Sequence, residues 1–159
     1  MNRLLVTATV LILAAVVSGP LLAQSDPAFG TWKLNLAKSK YSNAPAPKSL
    51  TRTVEAQDNG FKVSYEGVSA DGSQIAYGFT ARLDGSDFAI SGSGTPAGAD
   101  FISLKRINMN TTEATFRKGG GAVLIATSEV SNDGKVTTTR TKGAGANAKE
   151  STLAVFDKQ

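Results

Sequence analysis

Apolar and polar residues alternate along most of this chain, and short turn-forming groups interrupt the alternation at regular intervals. The run 61–65 has Phe, Val and Tyr at every second position, and the run 75–79 has Ile, Tyr and Phe in the same arrangement. Successive side chains of a β-strand point to opposite faces, so each run predicts a half-buried strand. From Gly30 onward no stretch has a helical period of useful length. The pattern therefore predicts an all-β protein.

The turns predict how these strands are connected. They are rich in Asn, Asp and Gly, which tolerate the left-handed backbone angles of tight hairpins. The turns fall at 58–60, 71–72, 84–85, 108–110, 119–121 and 132–134. Hairpins that join consecutive strands indicate an antiparallel up-and-down β-barrel of about 8–10 strands, since closure removes exposed strand edges. A two-sheet sandwich is the alternative, but only segments 37–49 and 92–99 are long enough for its crossing connections.

Residues 1–23 have the order of a secretory signal peptide. Arg3 supplies a positive charge, an apolar run follows over 4–17, and the small Ala23 precedes the expected cleavage point. The apolar run is about 14 residues long, shorter than the ~20 that cross a bilayer, and a retained anchor is the alternative. We expect one β-barrel domain over 24–159, exported to the periplasm or secreted, with no membrane span in the mature protein.

The composition argues against several classes of function. The chain has no His and no Cys, which removes the commonest general base, thiolate nucleophiles and most transition-metal ligands. Its carboxylates fall in turns or mainly on the polar faces of strands, so no acid–base pair stands out. The 17 Lys and Arg residues are scattered singly rather than clustered as in a nucleic-acid-binding surface. We therefore predict no enzymatic activity, no cofactor, no metal and no nucleic-acid partner.

Both ends of the chain resemble the calycin superfamily, which contains lipocalins, fatty-acid-binding proteins and avidins. The Gly-Thr-Trp sequence at 30–32 resembles its Gly-x-Trp signature, and 29–34 is similar to the start of intracellular fatty-acid-binding proteins. The Val-Phe-Asp-Lys sequence at 155–158 is similar to their final strand. The opening, with Lys-Ser-Lys at 38–40, also resembles a group of exported bacterial lipocalin-like proteins. The resemblance implies a barrel that encloses a cavity.

The same resemblance implies a role for the tryptophan and exposes two differences. In these relatives the motif Trp plugs the base of the barrel, often under a basic side chain, for which Arg106 and Lys158 are the candidates. Fatty-acid-binding proteins hold the ligand carboxylate with an Arg-x-Tyr pair on the last strand, where this chain has Ala154 and Phe156. They also insert a helix pair after the first strand, for which 37–49 is too short and too rich in Pro. The resemblance therefore does not extend to fatty-acid recognition.

Two arginines stand on strand faces that are otherwise apolar. Arg52 alternates with Leu50 and Val54, and Arg106 follows Ile102 and Leu104 in the same way. An arginine inside a barrel needs a carboxylate, water or an anionic ligand as its partner. The alternative is that both lie at strand ends and reach solvent while their stems pack.

These observations predict an exported, non-enzymatic binding protein that holds a small apolar or amphipathic ligand in its barrel. The predicted ligand-binding residues are Arg52, Tyr65, Tyr77, Phe79 and Arg106, although the three aromatic residues also suit an ordinary core. One alternative is a barrel filled by side chains with a structural or protein-interaction role in the cell envelope. Another is a weak enzyme that uses Tyr, Ser and carboxylates. The sequence leaves the oligomeric state open.

Overall fold

Antiparallel strands make up most of the described chain. The computed structural model describes residues 25–58 and 60–159. The strands are β1 (Gly30–Leu34), β2 (Lys40–Tyr41), β3 (Ser49–Gln57), β4 (Gly60–Val68), β5 (Gln74–Ala81), β6 (Asp84–Ala89), β7 (Ser91–Ser93), β8 (Phe101–Asn108), β9 (Thr111–Lys118), β10 (Gly121–Val130), β11 (Val136–Gly143) and β12 (Glu150–Lys158). One-turn 3-10 segments lie at Leu36–Lys38 and Pro96–Gly98.

The strands form one sheet that curls into a nearly closed barrel. Strands β8 to β12 pair in sequence, β12 pairs with β1, and the sheet continues through β3 and β4 to β5. The strands at the two sheet edges are β6, which pairs with β8, and β7, which pairs with β5. They follow each other directly in the chain on either side of Ile90, so one bent segment links both edges. The prediction of a barrel rather than a sandwich is confirmed.

A plug of packed side chains seals one end of this barrel. Trp32 is fully buried, and its indole Nε1 donates a hydrogen bond of 2.9 Å to the carbonyl oxygen of Ala28. Phe29 packs edge-on against Phe61, with ring centroids 5.4 Å apart. The lead-in segment 26–29 therefore covers this closed end and holds the Trp32 indole in place.

The strand register identifies the basic side chains that contact Trp32. Lys158 lies opposite Trp32 on β12, and its Nζ is 5.0 Å from the indole centroid. Arg52 lies opposite Trp32 on β3, and its Cζ is 5.7 Å from that centroid. Arg106, the other candidate named from the sequence, lies instead over Phe61 at 5.5 Å. Trp32 is therefore flanked by two cations at distances typical of cation–π contacts.

Aspartates cap the turns that the sequence predicted. The Asp71 carboxylate accepts hydrogen bonds from the Ser69 hydroxyl and, at 2.9 Å, from the backbone N–H of Ser73. These hydrogen bonds, the Ser69 bond foremost, lower the pKa of Asp71 to about 2. Asp133 accepts equivalent bonds from Ser131 and from the Lys135 N–H, which also lower its pKa. These carboxylates have a structural role in their hairpins.

The structure differs from the predicted strand pattern in its details. It has twelve strands in the described part of the chain, because β2 and β7 span only two and three residues and are too short to show an alternation. The predicted turn at Asp84–Gly85 instead opens β6, where a register shift between Asp84 and Asp87 absorbs Gly85. Segment 37–49, one of the two long connections between predicted strands, contains β2, which pairs with β12.

The predicted signal peptide over 1–23 lies outside the described residues. In the part of the chain that is described, no helix has both the length and the hydropathy needed to cross a bilayer.

Candidate ligand-binding cavity

A cavity of about 470 Å³ occupies the barrel interior. Small-molecule sites are commonly about 300–1,000 Å³ in volume. Two walls of different chemistry lie about half a turn of the barrel apart. The aromatic wall, on β3 to β5, consists of Leu50, Arg52, Val54, Phe61, Val63, Tyr65, Tyr77 and Phe79. The hydroxyl wall, on β9 to β12, contains Thr112, Ser128, Thr137, Thr139, Thr141, Ser151 and Thr152, with Ala114, Phe116, Leu124, Ala126, Val130, Ala154 and Phe156 among them.

A loop and a one-turn 3-10 segment, rather than a helix pair, border the cavity at the end away from Trp32. Asn43, Ala44, Pro45 and Pro47 line it from the connection between β2 and β3, and Pro96 and Ala97 line it from the connection between β7 and β8. This agrees with the prediction that 37–49 is too short for a helix pair. Because proline fixes its own backbone φ, the loop that carries Pro45 and Pro47 loses part of its conformational freedom.

Arg52 faces the inside of the barrel, as one of the two sequence interpretations proposed. Its strand pairs place it between Trp32 on β1 and Tyr65 on β4, and only 6% of the residue is exposed. Its Cζ lies 5.3 Å from the Phe156 ring centroid as well as over Trp32. Among the described residues, its Nε has no hydrogen-bond partner and its guanidinium pairs with no carboxylate. The Trp32 and Phe156 rings contact this cation without neutralising it.

The three predicted aromatic residues all line the cavity beside Arg52. Tyr65 and Tyr77 are partners across β4 and β5, and their rings stack with centroids 4.7 Å apart. Burial raises the pKa of Tyr77 well above its usual value, and nearby Tyr65 adds to this while Arg52 opposes it. Tyr77 is therefore a neutral phenol at physiological pH. Phe79 extends the same surface deeper into the core cluster.

Arg106 lines the closed end of the cavity, but its charge already has a partner. Its guanidinium forms an ion pair with Asp26 and donates a hydrogen bond of 3.1 Å to the Met109 carbonyl. Asp26 belongs to the lead-in segment, 80 residues away in the chain. The structure therefore brings Arg52 and Arg106 to one cavity and gives them different surroundings. The prediction that Arg106 contacts ligand stays a prediction.

The hydroxyl wall was not predicted from the sequence. Its residues occupy alternate positions of β11, where Thr137, Thr139 and Thr141 face inward, and matching positions on the neighbouring strands. The available signal was the run of threonines at 137–139 followed by Thr141, whose alternation places every second hydroxyl on one face. Threonine suits both exposed and interior strand positions, so composition alone did not assign the face.

The polar groups that line the cavity suit noncovalent binding. Among the described lining residues they are guanidinium, phenol, amide and hydroxyl groups, and no carboxylate is present. The same part of the chain contains no cluster of three or more acidic residues arranged to hold a metal ion. Arg52 can contact an anion, the hydroxyls can donate and accept hydrogen bonds, and the aromatic wall can bury apolar surface.

A solved structure shares this fold. The chain superposes on zebrafish ileal bile acid-binding protein, crystallised in complex with cholic acid, with a TM-score of 0.52 and 11% sequence identity. The match covers 84% of this chain and 99% of the zebrafish protein. No protein-family model matches the sequence, and no curated protein matches it closely enough to be a relative. The likeness shows a shared antiparallel β-barrel fold.

Proposed function

We propose that this chain is an exported, non-enzymatic binding protein that holds a small amphipathic molecule in its barrel, with an anionic group of that molecule against Arg52. The observation that carries the proposal is the Arg52 guanidinium, which is buried on the cavity wall without a carboxylate partner among the described residues. An unpaired buried cation is costly, so a protein that retains one gains most when an anion enters.

The rest of the cavity supports the amphipathic character of the ligand. The aromatic wall offers Leu50, Val54 and Phe79 as apolar contact surface. Apolar surface removed from water contributes roughly 25 cal/mol per Å², and a hydrogen bond to a charged group contributes about 1.5–3 kcal/mol. A molecule with one anionic end and an apolar body would use both contributions.

The fold likeness adds support that is independent of these residues. The zebrafish protein is seen with cholic acid, a small amphipathic carboxylic acid, so a barrel of this shape is compatible with such a ligand. The cavity of about 470 Å³ argues against the filled barrel considered as an alternative. The described cavity lining contains no carboxylate, and burial raises the pKa of Tyr41 and of Tyr77 further from neutrality, which argues against the enzyme alternative.

Replacing Arg52 with methionine should weaken binding of an anionic probe while leaving a neutral probe unaffected. We expect the Kd of 1-anilinonaphthalene-8-sulfonate to rise about tenfold or more, because a charge-assisted hydrogen bond of roughly 1.5–3 kcal/mol is lost. The Kd of the uncharged dye Nile red should change less than twofold. Fluorescence titration measures both constants, and circular dichroism checks the fold.

Arg140→Met is the matched control, because Arg140 is exposed, pairs with Glu150 at 3.3 Å and does not line the cavity. It should leave both dissociation constants unchanged. An equal loss of affinity for both dyes in Arg52→Met would contradict an anion contact and indicate a general packing defect. A wild-type protein that binds neither dye and does not bind cholate would refute the proposed function.

Export is the other component of the proposal, and it rests on the pattern of residues 1–23. We expect the chain expressed with its own N-terminus in a Gram-negative bacterium to start at Gln24 when recovered from the periplasm. Intact mass spectrometry of periplasmic and membrane fractions measures the cleavage. Ala23→Arg should block processing, because signal peptidase requires a small residue before the cut. A full-length chain that partitions into membranes would instead support the retained-anchor alternative.

A further inference from the structure

Three inward-facing hydroxyls form a continuous row across the hydroxyl wall. Ser128 on β10 lies opposite Thr112 on β9 and Thr139 on β11. The Ser128 and Thr139 hydroxyl oxygens are 2.8 Å apart and share one hydrogen bond. Each hydroxyl carries one donor and two acceptor positions, so this cavity-lining pair leaves one donor hydrogen and three lone pairs for other partners.

Thr137 adds a hydroxyl whose hydrogen bonding is unsatisfied. It is fully buried, lines the cavity, and its Oγ1 has no hydrogen-bond partner among the described residues. Its position directly across from Phe156 places it beside the ring that Arg52 also approaches. A buried hydroxyl without a partner costs roughly 1–3 kcal/mol, which a hydrogen-bonding group of a ligand can offset.

The two walls therefore differ in what they require of a ligand. Any apolar ligand surface that covers the aromatic wall makes binding more favourable. Hydrocarbon that covers the hydroxyl wall removes the hydroxyls from water and offers them no hydrogen bonds in return, which makes binding less favourable. A plain acyl chain would satisfy the first wall and leave the second one desolvated. A ligand with an apolar face and a hydroxylated face would satisfy both walls.

We propose that the ligand is an anionic amphiphile that carries hydroxyl groups along one face, and that Thr112, Ser128, Thr137 and Thr139 select these hydroxyls. This inference rests on the proposed function, since it assigns the chemical class of the molecule that Arg52 holds. The selection acts against ordinary hydrophobicity, because hydroxylation makes an amphiphile more soluble in water and would weaken its binding to an apolar cavity.

A matched ligand pair tests the selection. Stearate and 9,10-dihydroxystearate share chain length and carboxylate, and each can be titrated against protein loaded with 1-anilinonaphthalene-8-sulfonate. The wild-type protein should bind the dihydroxy acid about tenfold more tightly than stearate. The double variant Ser128→Ala/Thr139→Val and the single variant Thr137→Val, which keep side-chain volume almost unchanged, should each reduce this ratio toward one while retaining stearate binding.

Thr138→Val is the control on the outer face of the same strand, since Thr138 alternates with the cavity-lining residues and does not line the cavity itself. The ratio of its affinities for 9,10-dihydroxystearate and stearate should equal that of the wild type. A wild-type preference for stearate, or a preference for the dihydroxy acid that survives both cavity variants, would overturn the inference while Arg52-dependent probe binding still supports the proposed function. Absence of any Arg52-dependent probe binding would overturn the proposed function and this inference together.

Discussion

Replacing Trp32 with alanine is expected to lower the free energy of unfolding by about 3–5 kcal/mol, the loss typical of large core aromatic residues. Trp32 is fully buried in the plug at the closed end of the barrel. Its removal opens a cavity, frees the Ala28 carbonyl from its hydrogen bond and separates Arg52 and Lys158 from the ring that lies between them. Urea unfolding followed by circular dichroism measures the change.

Two further measurements make this result specific to the plug. Phe101→Ala is the matched control, because Phe101 is an aromatic residue on β8 with 42% of its surface exposed, and it should cost far less. The Trp32 fluorescence of the native protein should be blue-shifted, since the indole is shielded from water. A loss below about 1 kcal/mol for Trp32→Ala would mean that the packing at this end does not depend on the indole.

Replacing Ala126 with phenylalanine is expected to abolish most ligand binding without unfolding the protein. Ala126 lies on the hydroxyl wall between Ala114 and Thr141, its partners on the adjacent strands, and its side chain points into the cavity. A phenyl ring there occupies space that the ligand needs, and it buries apolar surface that is otherwise open. We expect the Kd for both fluorescent dyes to rise at least about tenfold, which corresponds to roughly 1.4 kcal/mol.

The stability of Ala126→Phe, measured by thermal unfolding, should show whether the new ring fills an existing cavity or overpacks a filled core. Because the ring enters an existing cavity, stability should stay within about 1 kcal/mol of the wild type, whereas overpacking a filled interior typically costs about 1–3 kcal/mol. Thr127→Phe, which places the same ring on the outer face of β10, is the control and should leave dye binding unchanged. Intact binding in Ala126→Phe would place the dye site outside the barrel.

Period-two alternation and turn chemistry were sufficient to predict the fold class. The runs 61–65 and 75–79 lie on β4 and β5, and the turns at 71–72 and 132–134 join consecutive strands. These signals are local, because the direction of a side chain in a strand depends only on its position and because Asp and Gly set turn geometry within a few residues. The same alternation placed Arg52 on an apolar strand face but left open whether it faces the interior or reaches solvent at a strand end.

Local sequence patterns could not predict the neighbours of each arginine. Arg52 and Arg106 look alike in sequence, since each interrupts an apolar strand face. Asp26 neutralises one of them because the lead-in folds back under the barrel, which brings together residues 80 positions apart. Which arginine stays without a carboxylate therefore depended on long-range packing.

Alternation along the chain determined that this protein is built from antiparallel strands with Trp32 turned inward and Arg52 on an apolar strand face, because those properties belong to single strands and single hairpins. Tertiary structure alone decided that the interior stays open and has two chemically different walls. A cavity is the sum of many side-chain volumes around a closed sheet, and Ala114, Ala126 and Ala154 create space only because the register places them on one side of it. Strand register and curvature therefore convert a repetitive pattern into a specific site.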